Sequence, residues 1–310
     1  MTTTHQATHQ ATPVAHHAPV LISPGMALSE EPDQTGLAAL THRDPAPWLR
    51  LSLATAALGA IGSVVALLDV QRFYGAETEL FIDQAVAQDI VNLAIVMPLM
   101  VVFTWRALRG SAASYLVWLG FLTFTVYNYF IYTFSIHFGP LFLLWVAVLG
   151  TAIFALVGGA ISLDAQAVAN ALDFRKERLA AGFLMVTAVL FAFLWLSDIV
   201  PALVDGTAPT AATDVNLPTN PVHVLDLAFF LPAVVIVGGS LWQRRALGYA
   251  AAPAMLVFLA ITGLPIIATV FVADARGNEP AWQLLGPIGV ITAACIALTW
   301  VLVHRLRLHR

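Results

Sequence analysis

The chain has 310 residues, of which 59% are hydrophobic and only 10% carry a charge. Soluble globular domains average roughly half apolar and a quarter charged residues, so this composition indicates a membrane protein rather than a water-soluble one. The formal net charge of -4 at pH 7 and the lack of a basic patch interleaved with aromatics argue against nucleic acid as a partner. A single cysteine, Cys295, excludes an intramolecular disulfide and a multi-cysteine metal cluster within one chain.

The first segment, residues 1–46, contains no apolar run long enough to span a bilayer or to form the core of a signal peptide. We predict that it is a disordered arm. Its duplication THQATHQAT and the pair His16 and His17 form a His-rich tract. Such a tract is typical of loose metal binding, but a solvated leader explains the same residues.

Eight apolar runs follow, each near the roughly 20 residues that a helix needs to cross the hydrocarbon of a bilayer. A lone strand in lipid would leave its backbone N–H and C=O groups unpaired, so each run should be helical. The predicted fold is an all-α, polytopic transmembrane helical bundle in the cell membrane, with the lipid bilayer as a partner. The predicted spans are 48–68, 89–108, 113–134, 140–162, 179–200, 224–242, 253–273 and 283–303.

Arginine and lysine are concentrated in alternate segments between these spans. They lie before the first span, after the second, between the fourth and fifth, after the sixth and after the eighth. The intervening segments contain mainly Asp and Glu. Because cytoplasmic loops are enriched in Lys and Arg, we expect both termini to be cytoplasmic. The basic residues are Arg43, Arg50, Arg106, Arg109, Arg175, Lys176, Arg178, Arg244, Arg245, Arg305, Arg307 and Arg310.

Two stretches of the chain have the same order of polar residues, proline, apolar run and arginines. They are QDIVNLAIVMPLMVVFTWRALRG at 88–110 and HVLDLAFFLPAVVIVGGSLWQRRALG at 223–248. The spacing from Asn92 to Pro98 equals that from Asp226 to Pro232, and Asp89 corresponds in the same way to His223. This internal match predicts two parallel four-helix repeats related by an axis along the membrane normal.

The predicted repeat divides the chain into a first half at 47–163 and a second half at 179–310. Between them, residues 164–178 form a cytoplasmic linker. Its sequence, DAQAVANALDFRKER, is typical of either a short amphipathic helix on the membrane surface or a solvated segment.

Three sets of residues carry a resemblance to other proteins. The runs QDIVNLAIVMPL, YNYFIYTF with LFLLWVAVLG after it, and NPVHVLDLAFFLPA with RRALGY resemble a type of prokaryotic multi-pass membrane protein with no assigned function. The resemblance covers most of residues 48–303 and implies the topology alone, without an activity, substrate or cofactor.

Polar and ionisable side chains at bilayer depth are costly, so they mark candidate sites. Residues of this kind gather near the acidic ends of the predicted spans. If the two halves face each other, these side chains would line one outward-facing polar cavity for a proton, a small solute or an ion. The candidates are Asp89, Asn92, Tyr127, Asn128, Asp198 and Asp226.

Other interpretations of these residues compete with the shared cavity. His223 and Asp226, three residues apart on one helix, could bind zinc, iron or manganese together with His137, Asp89 or Asp198. Asp89 and Asp226 could instead cap helix N-termini. The tyrosines of YNYFIYTF are typical of an interfacial belt. Asn128 lies about two turns inside its span, where it needs another helix or a ligand as a partner.

The sequence leaves three classes of function. The first is binding or transport of a small solute or ion through the outward-facing cavity. The second is an accessory or assembly subunit without chemistry of its own, and the third is a metal-dependent intramembrane enzyme. The Walker, GxSxG, HExxH and dinucleotide-binding motifs are missing from the sequence, which argues against a familiar soluble-type enzyme domain.

Overall fold

The computed structural model describes residues 36–172, 177–304 and 306. Eight of its helices are long and apolar enough to cross a membrane, and we number them α1 to α8. The described residues form two isolated β-bridges but no strand. The prediction of an all-α bundle with eight spans is therefore confirmed, and the chain is a multi-pass membrane protein. The helices are Ala46–Leu68, Glu79–Leu108, Ala112–Ser135, Phe142–Ser162, Glu177–Asp205, Pro221–Trp242, Ala246–Arg276 and Trp282–His304.

Two helices begin well before the predicted spans. Helix α2 starts at Glu79 rather than at residue 89, because its buried Asp83 is paired with a cation and an amide instead of meeting lipid. Helix α7 starts at Ala246 rather than at residue 253, and the small residues Gly248, Ala250 and Ala252 of its first turns are buried. Hydropathy therefore underestimates a span wherever protein contacts replace contacts with lipid.

Alternate loops meet at the same end of the bundle. We call residues 36–45, 109–111, 163–172 and 243–245 the basic face. The Leu37 N–H donates to the Gly110 carbonyl (2.8 Å), and the Asp164 N–H donates to the Leu40 carbonyl (2.8 Å). We call residues 69–78, 136–141, 206–220 and 277–281 the acidic face, where the Thr78 hydroxyl donates to the Asp214 carbonyl (2.9 Å). Each helix thus crosses from one face to the other.

The basic face also orders parts of the chain that the sequence predicts to be mobile or solvated. Residues 1–35 of the predicted arm lie outside the described residues, but Gly36–Leu40 forms a 3₁₀ helix with Leu37 and Leu40 buried. In the linker, Ala165–Ala171 is a helix capped by Asp164, and Val168 is fully buried. Residues 173–176 are not described. Short helices thus lie within the predicted arm and within the linker, and the division of the chain into arm, halves and linker stays a prediction.

The two sets of four helices pack differently. In the first set, α1 packs against α2 and α4, and α3 packs against the same two helices, which closes a four-helix ring. In the second set, α5 packs on α6, α6 on α7 and α7 on α8, but α5 and α8 make no extensive contact among the described residues. Helix α7 also packs against α3 and the first half of α2. The second set is thus an open arrangement.

Helices α2 and α6 share one irregularity. Each contains a π-helical segment, Asn92–Val96 in α2 and Asp226–Phe230 in α6, and each segment ends two residues before a proline, Pro98 or Pro232. Proline has no N–H to donate, and the wider π turn lets the backbone pass it with little distortion. This local match accords with the internal repeat. The full four-helix repeat stays a prediction, because the packing of the two sets differs.

A charged cluster joins the two sets of helices at the acidic face. Arg276, at the end of α7, donates from Nε to Asp83 Oδ1 (2.6 Å) and from a terminal nitrogen to Glu79 Oε2 (2.8 Å). The second Asp83 oxygen accepts from Asn278 Nδ2 (2.7 Å), and the Asp83 residue is only 1% exposed. Asp83 is therefore a buried carboxylate whose two oxygens depend on residues almost two hundred positions away.

We predict that Arg276→Gln destabilises the protein, because it leaves Asp83 buried without its cation. A fully buried pair loses about 3–5 kcal/mol in this way. The Arg276 side chain is 31% exposed, so we expect a smaller loss, on the order of 2–4 kcal/mol. The measurement is the apparent unfolding temperature of the full chain in detergent.

The matched control is Arg72→Gln, which removes an arginine of the acidic face that lies over the Phe73 ring and forms no salt bridge within the described residues. The double variant Arg276→Gln with Asp83→Asn should recover part of the loss, since two amides can pair without a buried charge. Equal unfolding temperatures for Arg276→Gln and the unchanged protein would contradict the assigned role of this cluster.

Candidate ligand-binding cavity

A cavity of about 700 Å³ lies among α3, α5, α6, α7 and α8, with the first turns of α2 along one side. Most of its wall is apolar. The volume lies in the range of small-molecule sites, which combine apolar walls with a few polar groups. The large apolar side chains on the wall include Phe124, Phe191, Trp195, Phe258, Ile288 and Ile291.

The open packing of the second set of helices creates this space. The first half of α2 packs closely on α7, whereas the corresponding start of α6, Pro221–Leu225, makes only a small contact with α3. Helices α5 and α8 also fail to close against each other in the described structure. The cavity occupies the gap that both differences leave.

Three residues that line the cavity each have a buried polar atom without a hydrogen-bond partner among the described residues. The atoms are Asn128 Nδ2, His223 Nε2 and Thr292 Oγ1. The three residues are 3%, 5% and 5% exposed, respectively. An unpartnered buried polar group costs about 1–3 kcal/mol, so native proteins nearly always satisfy such groups with protein, ligand or ordered water. Glu77, Asn92 and Glu177 have such atoms away from the cavity, but Asn128, His223 and Thr292 share one cavity, where ordered water or a ligand would pair them.

Asp226 adds a carboxylate to the same wall. It lies in the π-helical segment of α6 and accepts a hydrogen bond from Trp195 Nε1 on α5 (2.8 Å). The Tyr127 ring packs edge-on against Phe230 and Phe258, and its hydroxyl lies near the Asp226 carboxylate. The carboxylate is thus bonded to an indole and lies beside the Tyr127 hydroxyl.

Asp89 occupies a different environment, inside the first set of helices. Its carboxylate accepts hydrogen bonds from Ser63 (2.8 Å), Tyr74 (2.6 Å) and Tyr132 (3.1 Å). Burial, reinforced by the charge of Asp89, raises the pKa of Tyr74 well above its usual value, so this hydroxyl stays protonated and remains a donor. Asn92, one turn further along α2, accepts from Gln88 Nε2 (3.0 Å).

The structure therefore divides the predicted site residues into groups. Tyr127, Asn128, His223 and Asp226 line one cavity, whereas Asp89 and Asn92 do not line it. Asp198 accepts the backbone N–H groups of Thr210 and Ala211 (3.2 Å each), which fixes a loop of the acidic face.

The interpretation of Asp89 and Asp226 as helix caps is wrong. The N-cap of α2 is Thr78, whose hydroxyl accepts the Phe81 N–H. The N-cap of α6 is Asn220, which accepts the N–H groups of Val222 and His223. Both helices begin earlier than predicted, so each aspartate lies inside its helix and interacts through side chains.

The residues proposed for a metal site are not brought together as a ligand set. His137 Nδ1 lies 3.0 Å from Glu77 Oε1, and the His137 N–H donates to the same oxygen (2.7 Å). His137 is not part of the cavity wall that carries His223 and Asp226. Across residues 36–172, 177–304 and 306, no three His, Cys, Asp or Glu side chains are grouped to hold an ion.

Several cavity residues were not predicted from the sequence. Thr292 and Trp195 lie in long apolar runs that look like ordinary lipid-facing helix. Of the two, only Thr292 could have been found from the sequence, since it is an isolated hydroxyl near the centre of a span.

Comparison of the chain with known protein-family models, curated proteins and solved structures finds no match. The resemblance drawn from the sequence stays a prediction.

We predict that Tyr74→Phe destabilises the protein by about 1–3 kcal/mol, because it removes the shortest of the three hydrogen bonds to the buried Asp89 carboxylate. The apparent unfolding temperature of the detergent-solubilised chain measures the effect. Tyr249→Phe is the control, since the Tyr249 hydroxyl makes no hydrogen bond within the described part of the chain. If the two substitutions changed stability equally, the Asp89 cluster would not be a stabilising element.

Proposed function

We propose that this membrane protein binds a small, largely apolar molecule with polar groups in the cavity, as the first step of moving it across the bilayer. The observation that carries the proposal is that Asn128, His223 and Thr292 line one cavity with Asp226, and that each has a buried polar atom unpartnered among the described residues. A ligand with hydrogen-bonding groups would satisfy atoms that the protein leaves unpaired.

The position of the cavity supports transport over a purely structural void. Its wall includes Asp214, Asn278 and Glu279 of the acidic face, which supplies a route to water. It also includes Thr292, ten residues into α8, or about 15 Å from the end of that helix at 1.5 Å per residue. This depth is about half of the roughly 30 Å hydrocarbon thickness. Carrier proteins bind their substrates near the midplane.

The backbone around the cavity supports the same conclusion. Asp226 belongs to the π-helical segment before Pro232, and Pro265 lies inside α7 at the cavity wall. Irregular or proline-containing backbone at membrane depth is tolerated where it is covered by protein or lines a cavity. Such interrupted helices are typical of transporter binding sites.

We also propose how the protein is oriented in the membrane and how its two sets of helices are related. Because the arginines are concentrated at the basic face, we place that face and both termini in the cytoplasm and the acidic face outside the cell. We also propose that the two sets of helices are a divergent repeat. In the first set, the position equivalent to His223 is Asp89, and protein hydroxyls fill its surroundings. In the second set, that region is left open for a ligand.

We predict that a cysteine at position 292 reacts with a membrane-impermeant thiol reagent applied to the outside of intact cells. The test uses Thr292→Cys in a Cys295→Ala background. Removal of the buried native cysteine leaves position 292 as the one thiol that can add mass to the chain. Labelling is measured by the mass increase of the purified chain. It is expected because the cavity connects Thr292 to the acidic face.

Thr104→Cys in the same background is the matched control. Thr104 is also a fully buried hydroxyl in a span, but it is bonded to Ser52 (3.0 Å) and does not line the cavity. It should remain unlabelled. Absence of labelling at position 292 in a folded protein, with the reagent applied to either side of the membrane, would exclude a water-accessible binding cavity and with it the proposed function.

A further inference from the structure

We infer that the molecule bound in this cavity is an organic cation, that is, an ammonium group carried on an apolar body. The inference rests on the proposed function and names the chemical class of its ligand. It is drawn from the charge of the cavity wall, the rings that line it and the arrangement of its polar atoms.

The charges on the wall have one sign. Among the described residues that line the cavity, five are carboxylates and none is arginine or lysine. Glu79 and Asp83 are paired with Arg276 at the acidic face. Asp214, Glu279 and Asp226 have no salt bridge within the described structure. The cavity therefore presents net negative charge to a ligand, and that charge attracts cations and repels anions.

The carboxylates are arranged from the opening to the interior. Asp214 and Glu279 belong to loops of the acidic face, whereas Asp226 lies inside α6. A ligand that enters from the acidic face would meet the loop carboxylates first and Asp226 last. Negative residues at the mouth of a cleft with apolar walls raise the local concentration of cations and their rate of association.

Aromatic rings line the cavity, and two of them, Trp195 and Tyr127, lie beside the innermost carboxylate. Phe124, Tyr127, Phe191, Trp195 and Phe258 all contribute to the wall, and Trp195 is bonded directly to Asp226. The face of an aromatic ring attracts a cation within about 6 Å, and the attraction strengthens when water is excluded. A carboxylate beside several rings is the combination that recognises an ammonium group rather than a neutral amide.

The size and polarity of the cavity favour an organic cation over a metal ion. A volume of about 700 Å³ is much larger than one metal ion, and its mainly apolar wall offers few oxygen or nitrogen ligands to replace the water around such an ion. An apolar ligand body would fill this space. Neutral His223 has an acceptor nitrogen, and Asn128 and Thr292 supply donors, so polar substituents on the ligand would find partners.

The test measures protection of the cysteine in Thr292→Cys, Cys295→Ala from N-ethylmaleimide. The probes are benzyltrimethylammonium, benzyl alcohol and phenylacetate, which share an aromatic ring and differ in charge. We expect the cation to slow labelling, the alcohol to protect weakly and phenylacetate to give no protection. Asp226→Asn in this background should raise the half-protecting concentration of the cation about tenfold or more.

Two further variants keep the test interpretable. Asp226→Glu retains the charge and should retain part of the protection, which a mere packing defect would not allow. Asp205→Asn removes an exposed carboxylate of α5 that does not line the cavity, and it should leave protection unchanged. The unprotected labelling rate of each variant shows whether its cavity has kept its shape.

The outcomes separate this inference from the function on which it rests. Equal protection by benzyl alcohol and the cation, with no effect of Asp226→Asn, would overturn the cation inference and leave small-molecule binding intact. Stronger protection by phenylacetate, or protection by none of the probes in a protein that still labels, would also overturn it. Failure to label position 292 at all contradicts the proposed function instead.

Discussion

A polar side chain inside hydrocarbon must find a partner, and this requirement shapes both sets of helices. Asp89 meets it completely, with three hydroxyl donors from α1, α3 and the loop between α1 and α2. Asp83 meets it through Arg276 and Asn278 from the other set of helices. Because each carboxylate is bound from several directions, α2 is fixed against α1, α3 and α7. The closed packing of the first set follows from these contacts together with the apolar surface that surrounds them.

Three residues around the cavity, one on each of α3, α6 and α8, leave the same requirement unmet. Asn128, His223 and Thr292 are buried like Asp89, yet an atom of each has no partner in the described part of the chain. The difference arises from packing, since α6 stands away from α3 at its start and α5 does not close on α8. An unfilled space with unpaired polar atoms is unfavourable for an isolated protein. A ligand that fills the space and pairs those atoms would offset this cost, which is why we propose a binding function for the cavity.

The sequence predicts the architecture well and the site only in part. Apolar run lengths identify all eight spans, and arginine-rich segments identify which loops share a face, because both signals are local. The start of α2 was not predicted, since the cation that pairs with the buried Asp83 carboxylate is Arg276, far along the chain. The capping interpretation of Asp89 and Asp226 fails because both helices begin at local caps, Thr78 and Asn220, that precede the apolar runs. Four cavity residues were predicted, namely Tyr127, Asn128, His223 and Asp226. The sequence did not show that Asp89 lies outside their cavity, because that depends on how the helices pack.

The most direct test of the central claim is an experimental density map of the full chain, purified from its membrane into lipid nanodiscs. The claim is that the polar atoms of Asn128, His223 and Thr292 point into a space that a bound molecule occupies. We predict a connected feature beside Asp226, within hydrogen-bonding distance of at least two of those three atoms. A collapsed cavity, with the three side chains bonded to neighbouring protein groups, would contradict the claim and reduce the polar cluster to a structural role.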